Sequence, residues 1–493
     1  MTQSGADGKR LFSWSLVWAM LFFGILWRLD FPKPMVDDLF YTGAALNLAG
    51  GGDMSNPLLA RQDFPSHFFF AYPPMHTRAL AGWLKLFGVG ARSMTAFPAV
   101  MYFVIAASTI AILRKHGAPV WLEWLVPLGV TTALLPTGLR SESLSVALTM
   151  AGFAIFTWAG KGVVSVFISF LLMALGASTA PRMALFSVAL IGYAVAGTLS
   201  ASAGERRALV VSVFSAMAAF LAALLIFLAQ IHFQFGDFWH TFHLHSQRVG
   251  GRRINLLLNF LDENAYLNRE QFTLLLFLAG LMIFGWPRRR GELLRASLAV
   301  AAAFPLIALA GAAGAGTLWY VVLLLFLFTA AVLHGRPQLS RRLAVTLALA
   351  LLLANATCLI AVYGMVSGKI SRDRGAQAAE AAAMRPTPEH PILLDDAVAR
   401  YVFDYKIPPD FLDIEFAAPF PKSHVVGQMR PGDVYLAGPA NVAVLKEFTL
   451  LDLAVPYWVP FSLPNRHVSK FPCQVFIIPE ETCNGLRAEM KDK

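Results

Sequence analysis

Long apolar runs alternate with short polar segments over most of the chain. The first run, LFSWSLVWAMLFFGILWRL, covers residues 11–29, and comparable runs recur as far as Val366. A helix needs roughly 20 apolar residues to cross the hydrocarbon of a bilayer, so the pattern predicts about eleven transmembrane helices. We therefore expect residues 1–366 to form a polytopic α-helical membrane domain.

The pattern changes after Val366. Residues 367–391 are polar and alanine-rich and end in prolines, which predicts a helix followed by a linker. Beyond them, three short apolar segments predict strands and one predicts a helix: HVVGQM, GDVYLAGP and QVFIIPE for strands, DDAVARYVFDY for a helix. Residues 367–493 are therefore expected to form a small C-terminal α/β domain outside the cytoplasm, roughly 100 residues in size.

Composition and charge agree with a membrane protein. Hydrophobic residues make up 57% of the chain and charged residues only 14%. Basic residues fall at alternate ends of successive apolar runs, at Lys9/Arg10, Arg114/Lys115, Lys161, Arg206/Arg207, Arg288–Arg290 and Arg336/Arg341/Arg342. The positive-inside rule makes these ends and the N-terminus cytoplasmic, and it leaves loops 30–93 and 231–271 and the C-terminus outside. The formal net charge of +10 is then a feature of topology and predicts no nucleic-acid partner.

Two of the three cysteines lie in the outer tail. Cys473 and Cys483 are separated by nine residues, and an oxidising compartment favours a disulfide between them. Two free thiols are the alternative.

Two adjacent carboxylates follow the first apolar run, in the stretch VDDLFYTGAALNLAGGGD. A structural interpretation makes Asp37 the N-cap of a surface helix from Asp38 to Ala49, because aspartate satisfies the unpaired backbone N–H groups at a helix start. A functional interpretation makes the pair part of a site at the membrane surface. The residues that follow in the same loop favour the second.

The first loop resembles that of the GT-C superfamily of membrane glycosyltransferases, most closely the branch containing protein O-mannosyltransferases and the lipid A aminoarabinose transferase. That pattern comprises an acidic pair, a nearby tyrosine, a Gly-Asp segment, a Pro-Pro turn and a Phe-Gly. The counterparts here, in the same order, are Asp37-Asp38, Tyr41, Gly52-Asp53, Tyr72-Pro73-Pro74 and Phe87-Gly88. Tyr72 departs from the lipid A enzyme, which has lysine there.

Later segments extend the resemblance. In GDFWHTFHLHSQRVGG, His245 and Arg248 match a histidine and an arginine of an outer loop. Arg182, in TAPRMAL, stands where relatives have a basic residue at an outer helix start, and Tyr320, in GTLWYVVLLL, matches an aromatic entry into a late span. The resemblance implies a donor sugar carried on polyprenyl phosphate, since nucleotide sugars stay in the cytoplasm.

The implied reaction assigns roles to these residues. A carboxylate can take the proton of the acceptor hydroxyl, so Asp37 is the expected base and Asp38 its neighbour in the catalytic pair. Arg182 and Arg248 are the expected phosphate contacts, because the departing polyprenyl phosphate gains negative charge. The remaining candidates for substrate binding are Tyr41, Tyr72, His245, Tyr320, Arg140 and Glu142.

Several of these residues also have ordinary structural explanations. Arg182 follows a proline at a span end, where arginine side chains commonly reach to the interface. Arg140 and Glu142, in TGLRSESL, fit a local ion pair that caps the next span better than a second acid and its partner. His240, His243 and His245 lie close enough in sequence to suggest a divalent cation, but they lack tight ligand spacing, so we expect no metal and a bound divalent cation is the alternative.

Three classes of function fit an outward-facing membrane protein. The ordered first-loop motifs favour a hexosyl or pentosyl transferase that uses a polyprenyl-phosphate sugar and a glycolipid, polysaccharide or protein acceptor. A lipid-linked glycan ligase or polymerase is expected to rely on basic residues in one large late loop. A transporter is expected to place polar residues at the bilayer midplane and to show repeated halves, and no repeat is visible. The predicted location is a bacterial inner membrane.

Overall fold

The structure, a computed structural model, describes parts of the chain. These are residues 14–21, 36–56, 67–115, 139–159, 162–180 and 206–250, four short strands, and single positions at 23, 24, 123, 127, 131, 134 and between 183 and 195. For residues 36–41, 91, 206–209, 244–250 and the strands, the description covers the backbone alone.

Seven helices have defined bounds within the described residues. They are α1 (Val36–Ala49), α2 (Pro74–Phe87), α3 (Ala91–Lys115), α4 (Ser141–Ala159), α5 (Val163–Thr179), α6 (Arg206–Gln230) and α7 (Phe235–Gly250). By length and composition, Arg92–Lys115, Ser141–Ala159 and Val210–Gln230 can each cross a membrane. The apolar helix α5 is shorter, at 17 residues. Several apolar helices therefore fit a polytopic membrane protein, while the expected total of about eleven depends on residues outside the described part.

Helices α4 and α5 pack closely because glycines face the neighbouring helix. A Cβ built on Gly152 would lie 2.6 Å from the Ser169 carbonyl oxygen, and one on Gly176 would lie 2.2 Å from Thr149 Oγ1. Ser145 Oγ donates a hydrogen bond of 2.6 Å to the Gly176 carbonyl. Small residues and hydroxyls of this kind are typical of helix contacts in a membrane, where close backbone approach replaces the hydrophobic drive available in water.

The helix contacts place several predicted cytoplasmic ends side by side. Trp158 Nε1, at the end of α4, donates to the Ala111 carbonyl near the end of α3 at 2.7 Å. Ser215 Oγ of α6 donates to the carbonyl of Val163, the first residue of α5, at 2.7 Å. Lys115 Nζ lies 5.3 Å from the centre of the Trp158 ring. Basic and aromatic residues at one helix end are typical of a membrane interface.

Four strands of the C-terminal part form one mixed sheet. They are β1 (Ile392–Leu394), β2 (Leu412–Asp413), β3 (Val434–Ala437) and β4 (Gln474–Ile477), in the order β2-β1-β3-β4. The strand β1 pairs in parallel with β2 and β3, with Leu393 opposite Tyr435. The pair β3 and β4 is antiparallel.

Two of the three predicted strand segments are confirmed by β3 and β4. The segment HVVGQM and the predicted helix at 395–405 lie outside the described residues, as do Cys473 and Cys483. The strands β1 and β2 were not predicted, because strands of three and two residues show too little alternation to be recognised in a sequence. The domain boundary at 366/367 and the disulfide stay predictions.

Candidate functional site

The acidic pair lies in the first turn of α1. The helix begins at Val36, so Asp37 already belongs to it and the interpretation of Asp37 as the N-cap is wrong by this register. Carboxylates in a first turn are still favoured, because the unpaired backbone N–H groups there carry partial positive charge. The side chains of Asp37, Asp38 and Tyr41 lie outside the described atoms, and their roles stay predictions.

The second half of α1 fixes the helix against its neighbours. Ala45 is fully buried and packs with Leu80 and Leu84 of α2. Leu139, the residue directly before Arg140, belongs to the same hydrophobic cluster. The helix that carries the acidic pair and the segment that carries Arg140 and Glu142 therefore share one packed core.

The glycine-rich segment after α1 is a compact turn that ends the helix. The N–H of Gly50 donates to the Leu46 carbonyl at 2.9 Å, and the N–H of Gly52 donates to the Asn47 carbonyl at 3.0 Å. Gly51 has a φ of 95°, in the left-handed region that favours glycine. The run of glycines thus satisfies carbonyls at the helix end and reverses the chain.

Two asparagines then hold the returning chain along α1. Asn47 Nδ2 donates to the Asp53 carbonyl at 3.0 Å, to Asp53 Oδ1 at 3.3 Å and to Ser55 Oγ at 3.2 Å. Asn56 lies directly against Gly43, where a Cβ would be 2.1 Å from Asn56 Oδ1. The first loop is therefore fitted to the surface of α1, and a larger residue at position 43 would require the Asn56 side chain to move.

Asp53 makes several contacts within the described part of the first loop. Its Oδ1 accepts the Ser55 N–H at 2.9 Å, and its Oδ2 pairs with His67 Nε2. The hydrogen bonds from the Ser55 side chain and N–H, together with His67, lower the pKa of Asp53 to about 2. A carboxylate held ionised in this way is a weak proton acceptor, so the Gly52-Asp53 motif serves to shape the loop.

Two further motifs of the first loop mark the ends of α2. Pro73 precedes the helix, and Pro74 is its first residue, where a missing N–H leaves no intrahelical bond unmade. At the other end, Gly88 has a φ of 81° and its N–H donates to the Leu84 carbonyl at 2.9 Å. Tyr72 is half-buried, with its ring centre 6.3 Å from that of Phe69.

Arg140 and Glu142 form a buried ion pair at the start of α4. Arg140 Nη2 lies 2.9 Å from Glu142 Oε1, and the Glu142 side chain is only 3% exposed. This confirms the local ion pair that the sequence favoured. Glu142 Oε2 is also buried and accepts no hydrogen bond within the described part of the chain. A buried carboxyl oxygen with no partner among the described residues retains the capacity to accept a hydrogen bond from a substrate hydroxyl.

The first loop also contacts the turn between α6 and α7, which the sequence did not indicate. Arg78 Nη2 donates to the Gln230 carbonyl at 2.8 Å and lies 3.3 Å from His232 Nε2. The Phe68 ring stacks on His232 with centres 4.8 Å apart. A guanidinium on the last carbonyls of a helix also interacts favourably with the negative end of its dipole.

The later candidate residues are only partly placed. Positions 245 and 248 lie in the last turns of α7, and their side chains are outside the described atoms. Arg182 and Tyr320 lie outside the described residues altogether. His240 and His243 are exposed on α7, and the described residues contain no group of three His, Cys, Asp or Glu side chains that could hold a metal ion.

Comparisons with known proteins complete the description of the site. No protein-family model and no curated protein matches the chain. Two crystal structures of ArnT from Cupriavidus metallidurans, one bound to undecaprenyl phosphate and one in the apo state, each align with 89% of this chain and 94% of theirs. The identity is 14% and the TM-score 0.43 in both cases, values that assign no substrate or residue role.

Proposed function

We propose that this protein is a membrane glycosyltransferase that moves a sugar from polyprenyl phosphate to an acceptor outside the cytoplasm. The observation that carries the proposal is the construction of the first loop. Its Gly52-Asp53, Pro73-Pro74 and Phe87-Gly88 motifs bound two packed helices, and the acidic pair occupies the first turn of one of them. Because the loop is built so closely around an acidic helix start, it fits a substrate site better than a segment that only connects two spans.

Asp37 is the proposed base of the reaction. Its carboxylate takes the proton of the acceptor hydroxyl while the hydroxyl oxygen forms a bond to the anomeric carbon. The bond from that carbon to the phosphate oxygen breaks, and polyprenyl phosphate leaves with the electron pair. Asp38 is proposed to orient either the acceptor or the neighbouring Asp37.

The leaving phosphate requires positive charge. Arg182 and Arg248 are proposed to stabilise it by charge-assisted hydrogen bonds, which are strongest where water is excluded. Tyr41, Tyr72, His245 and Tyr320 are proposed to bind the sugar or acceptor. Glu142 Oε2, which has no partner among the described residues, is proposed to accept a hydrogen bond from a sugar hydroxyl, with Arg140 holding the carboxylate in place. The reaction as written requires no metal.

The proposed location is a bacterial inner membrane with the acidic pair and the C-terminus on the outer side. The basic residues at alternate span ends support this topology. Reporter fusions at Arg206 and after Val366 should be active in opposite compartments. Activity of both reporters in the same compartment would refute the proposed orientation.

Transfer is tested with purified protein in liposomes, a panel of radiolabelled polyprenyl-phosphate sugars and membrane extracts as the acceptor source. We expect label from one sugar to move to one extractable acceptor, which mass spectrometry then identifies. Protein with Asp37→Asn provides the matched control. Absence of transfer from every polyprenyl-phosphate donor, by protein that remains monodisperse, would overturn the proposed reaction.

A further inference from the structure

Helix α6 presents an apolar surface that continues past its own end. Its large side chains are widely exposed, for example Phe214 at 66% and Leu221 at 57%. The helix ends at Gln230, and His232 and Phe233 both have φ near +55°, a conformation rare outside glycine that turns the chain sharply into α7. Large exposed apolar residues resume directly after this turn.

Helix α7 has three different faces. Phe238 and Thr241 are buried against the protein, where Phe238 packs with Met54, Phe70 and Ile231. Phe235 and Trp239, one turn apart, are 52% and 54% exposed, with ring centres 6.3 Å apart. The polar residues Asp237 and His240 are exposed on the remaining side.

These faces follow one another around the helix at 100° per residue. Starting from Phe235, the exposed rings occupy one sector, the exposed polar residues the next, and the buried residues the third. A helix with protein on one side, exposed aromatic rings on the second and polar residues on the third matches the surroundings found at a membrane surface, where lipid, water and protein meet.

We propose that α7 lies in the membrane–water interface, with Phe233, Phe235 and Trp239 inserted among the lipids. The occupant of the aromatic face is the bilayer, because this face continues the exposed apolar surface of α6, a helix long and apolar enough to span a membrane. Tryptophan and phenylalanine are also typical of the apolar face of helices that lie at this depth. This inference is independent of the reaction proposed above.

The contacts of α7 give its position a structural consequence. The Phe70 ring meets Phe238 edge to face at 5.9 Å, and Phe68 stacks on His232 at the turn. Phe68 and Phe70 belong to the first loop. Lipid contact by α7 therefore sets the depth of the loop that follows the acidic helix, and α7 acts as an anchor for it.

The test uses p-benzoylphenylalanine introduced singly at positions 235, 239, 237 and 240 of the full-length protein in native membranes. Irradiation should give lipid adducts at 235 and 239, several-fold more than at 237 and 240, as measured by mass spectrometry of the purified protein. Position 233 replaces either aromatic site if that variant is not monodisperse in detergent.

Two outcomes would overturn the proposal. Equal and low lipid labelling at all four positions would place the aromatic face in water. Crosslinks from 235 and 239 to a second copy of the chain or to another protein, without lipid adducts, would show that protein covers the face. Position 241, which is buried, supplies the control for crosslinking within the chain.

Discussion

The two ends of α1 each carry aspartate, but their surroundings differ in kind. After the helix, Asp53 is tied to Ser55 and His67, with Asn47 donating to the same carboxylate, and its pKa is lowered to about 2. At the other end, Asp37 and Asp38 lie in the first turn of the helix, which is described from Val36 onward. The chain after α1 holds the Asp53 carboxylate by described contacts that keep it ionised, whereas the other end of α1 carries two consecutive aspartates.

This contrast distinguishes the residues that shape the first loop from those proposed to take part in the reaction. The motif residues that follow the acidic pair end one helix and bound the next, and their partners are backbone groups and neighbouring side chains. These contacts explain why the motif residues are needed for the shape of the loop, whether or not a substrate binds there. The acidic pair belongs to the same motif, and its part in the reaction is the proposal that the predictions below test.

The largest effect is expected at the start of α1. Asp37→Asn keeps nearly the same shape but removes the proton acceptor, so transfer should fall by roughly 10²–10⁴-fold. Asp38→Asn should be milder. Radiolabel transfer normalised to monodisperse protein measures both.

If Asp37 serves only the helix dipole, the outcome is different. Turnover by Asp37→Asn would then stay near that of the unmodified protein, with a loss of about 0.3–1 kcal/mol in the free energy of unfolding. That result would show that the aspartates at both ends of α1 have structural roles only.

Glu142, the buried acid beside the first loop, tests how much a paired carboxylate contributes to stability. Arg140→Met leaves Glu142 as a buried unpaired charge, which should lower the free energy of unfolding by roughly 3–5 kcal/mol. Arg140→Met combined with Glu142→Gln should recover much of that loss, because no uncompensated charge remains. Thermal unfolding in detergent gives both values, and additive losses in the double variant would contradict the ion pair.

A smaller effect is expected in the turn after α1. Gly51→Ala places a side chain at φ 95°, and although the space is open, the backbone strain should cost about 1–2 kcal/mol. Gly50→Ala is the matched control, since its Cβ would make only ordinary contacts, 3.4 Å from the Leu46 carbonyl oxygen. Equal thermal stability of the two variants would show that this turn does not depend on the left-handed glycine.

The smallest effect depends on pH and concerns Asp53. Its folded pKa of about 2 lies below the ordinary 3.8, so on acidification the unfolded chain takes up the proton first. The carboxylate therefore stabilises the fold fully above pH 3.8 and loses this contribution as pH falls toward 2. Asp53→Asn should lower the unfolding temperature at neutral pH and less so near pH 3, whereas a difference independent of pH would contradict the lowered pKa.

Local features of the fold could be predicted because their causes lie within a few residues. The ends of α2 follow from Pro73-Pro74 and Gly88, and three of the predicted spans follow from uninterrupted apolar runs. The local Arg140–Glu142 pair was likewise evident, being two residues apart at a helix start. The start of α1 was misplaced because aspartate is favoured both at the N-cap and in the first turn, so its presence does not choose between them.

The sequence by itself determined that this is a membrane protein, where its described spans lie and where helices end in the first loop. Hydropathy, proline and glycine act locally, so these features can be recognised without the tertiary structure. Only the tertiary structure decided which of these pieces meet. Arg78 reaches the Gln230 carbonyl across 152 residues, and the Asp53–His67 pair closes a loop of 14. No local pattern encodes such contacts, because they exist only once helix packing has brought α2 to the end of α6 and folded the loop back along α1.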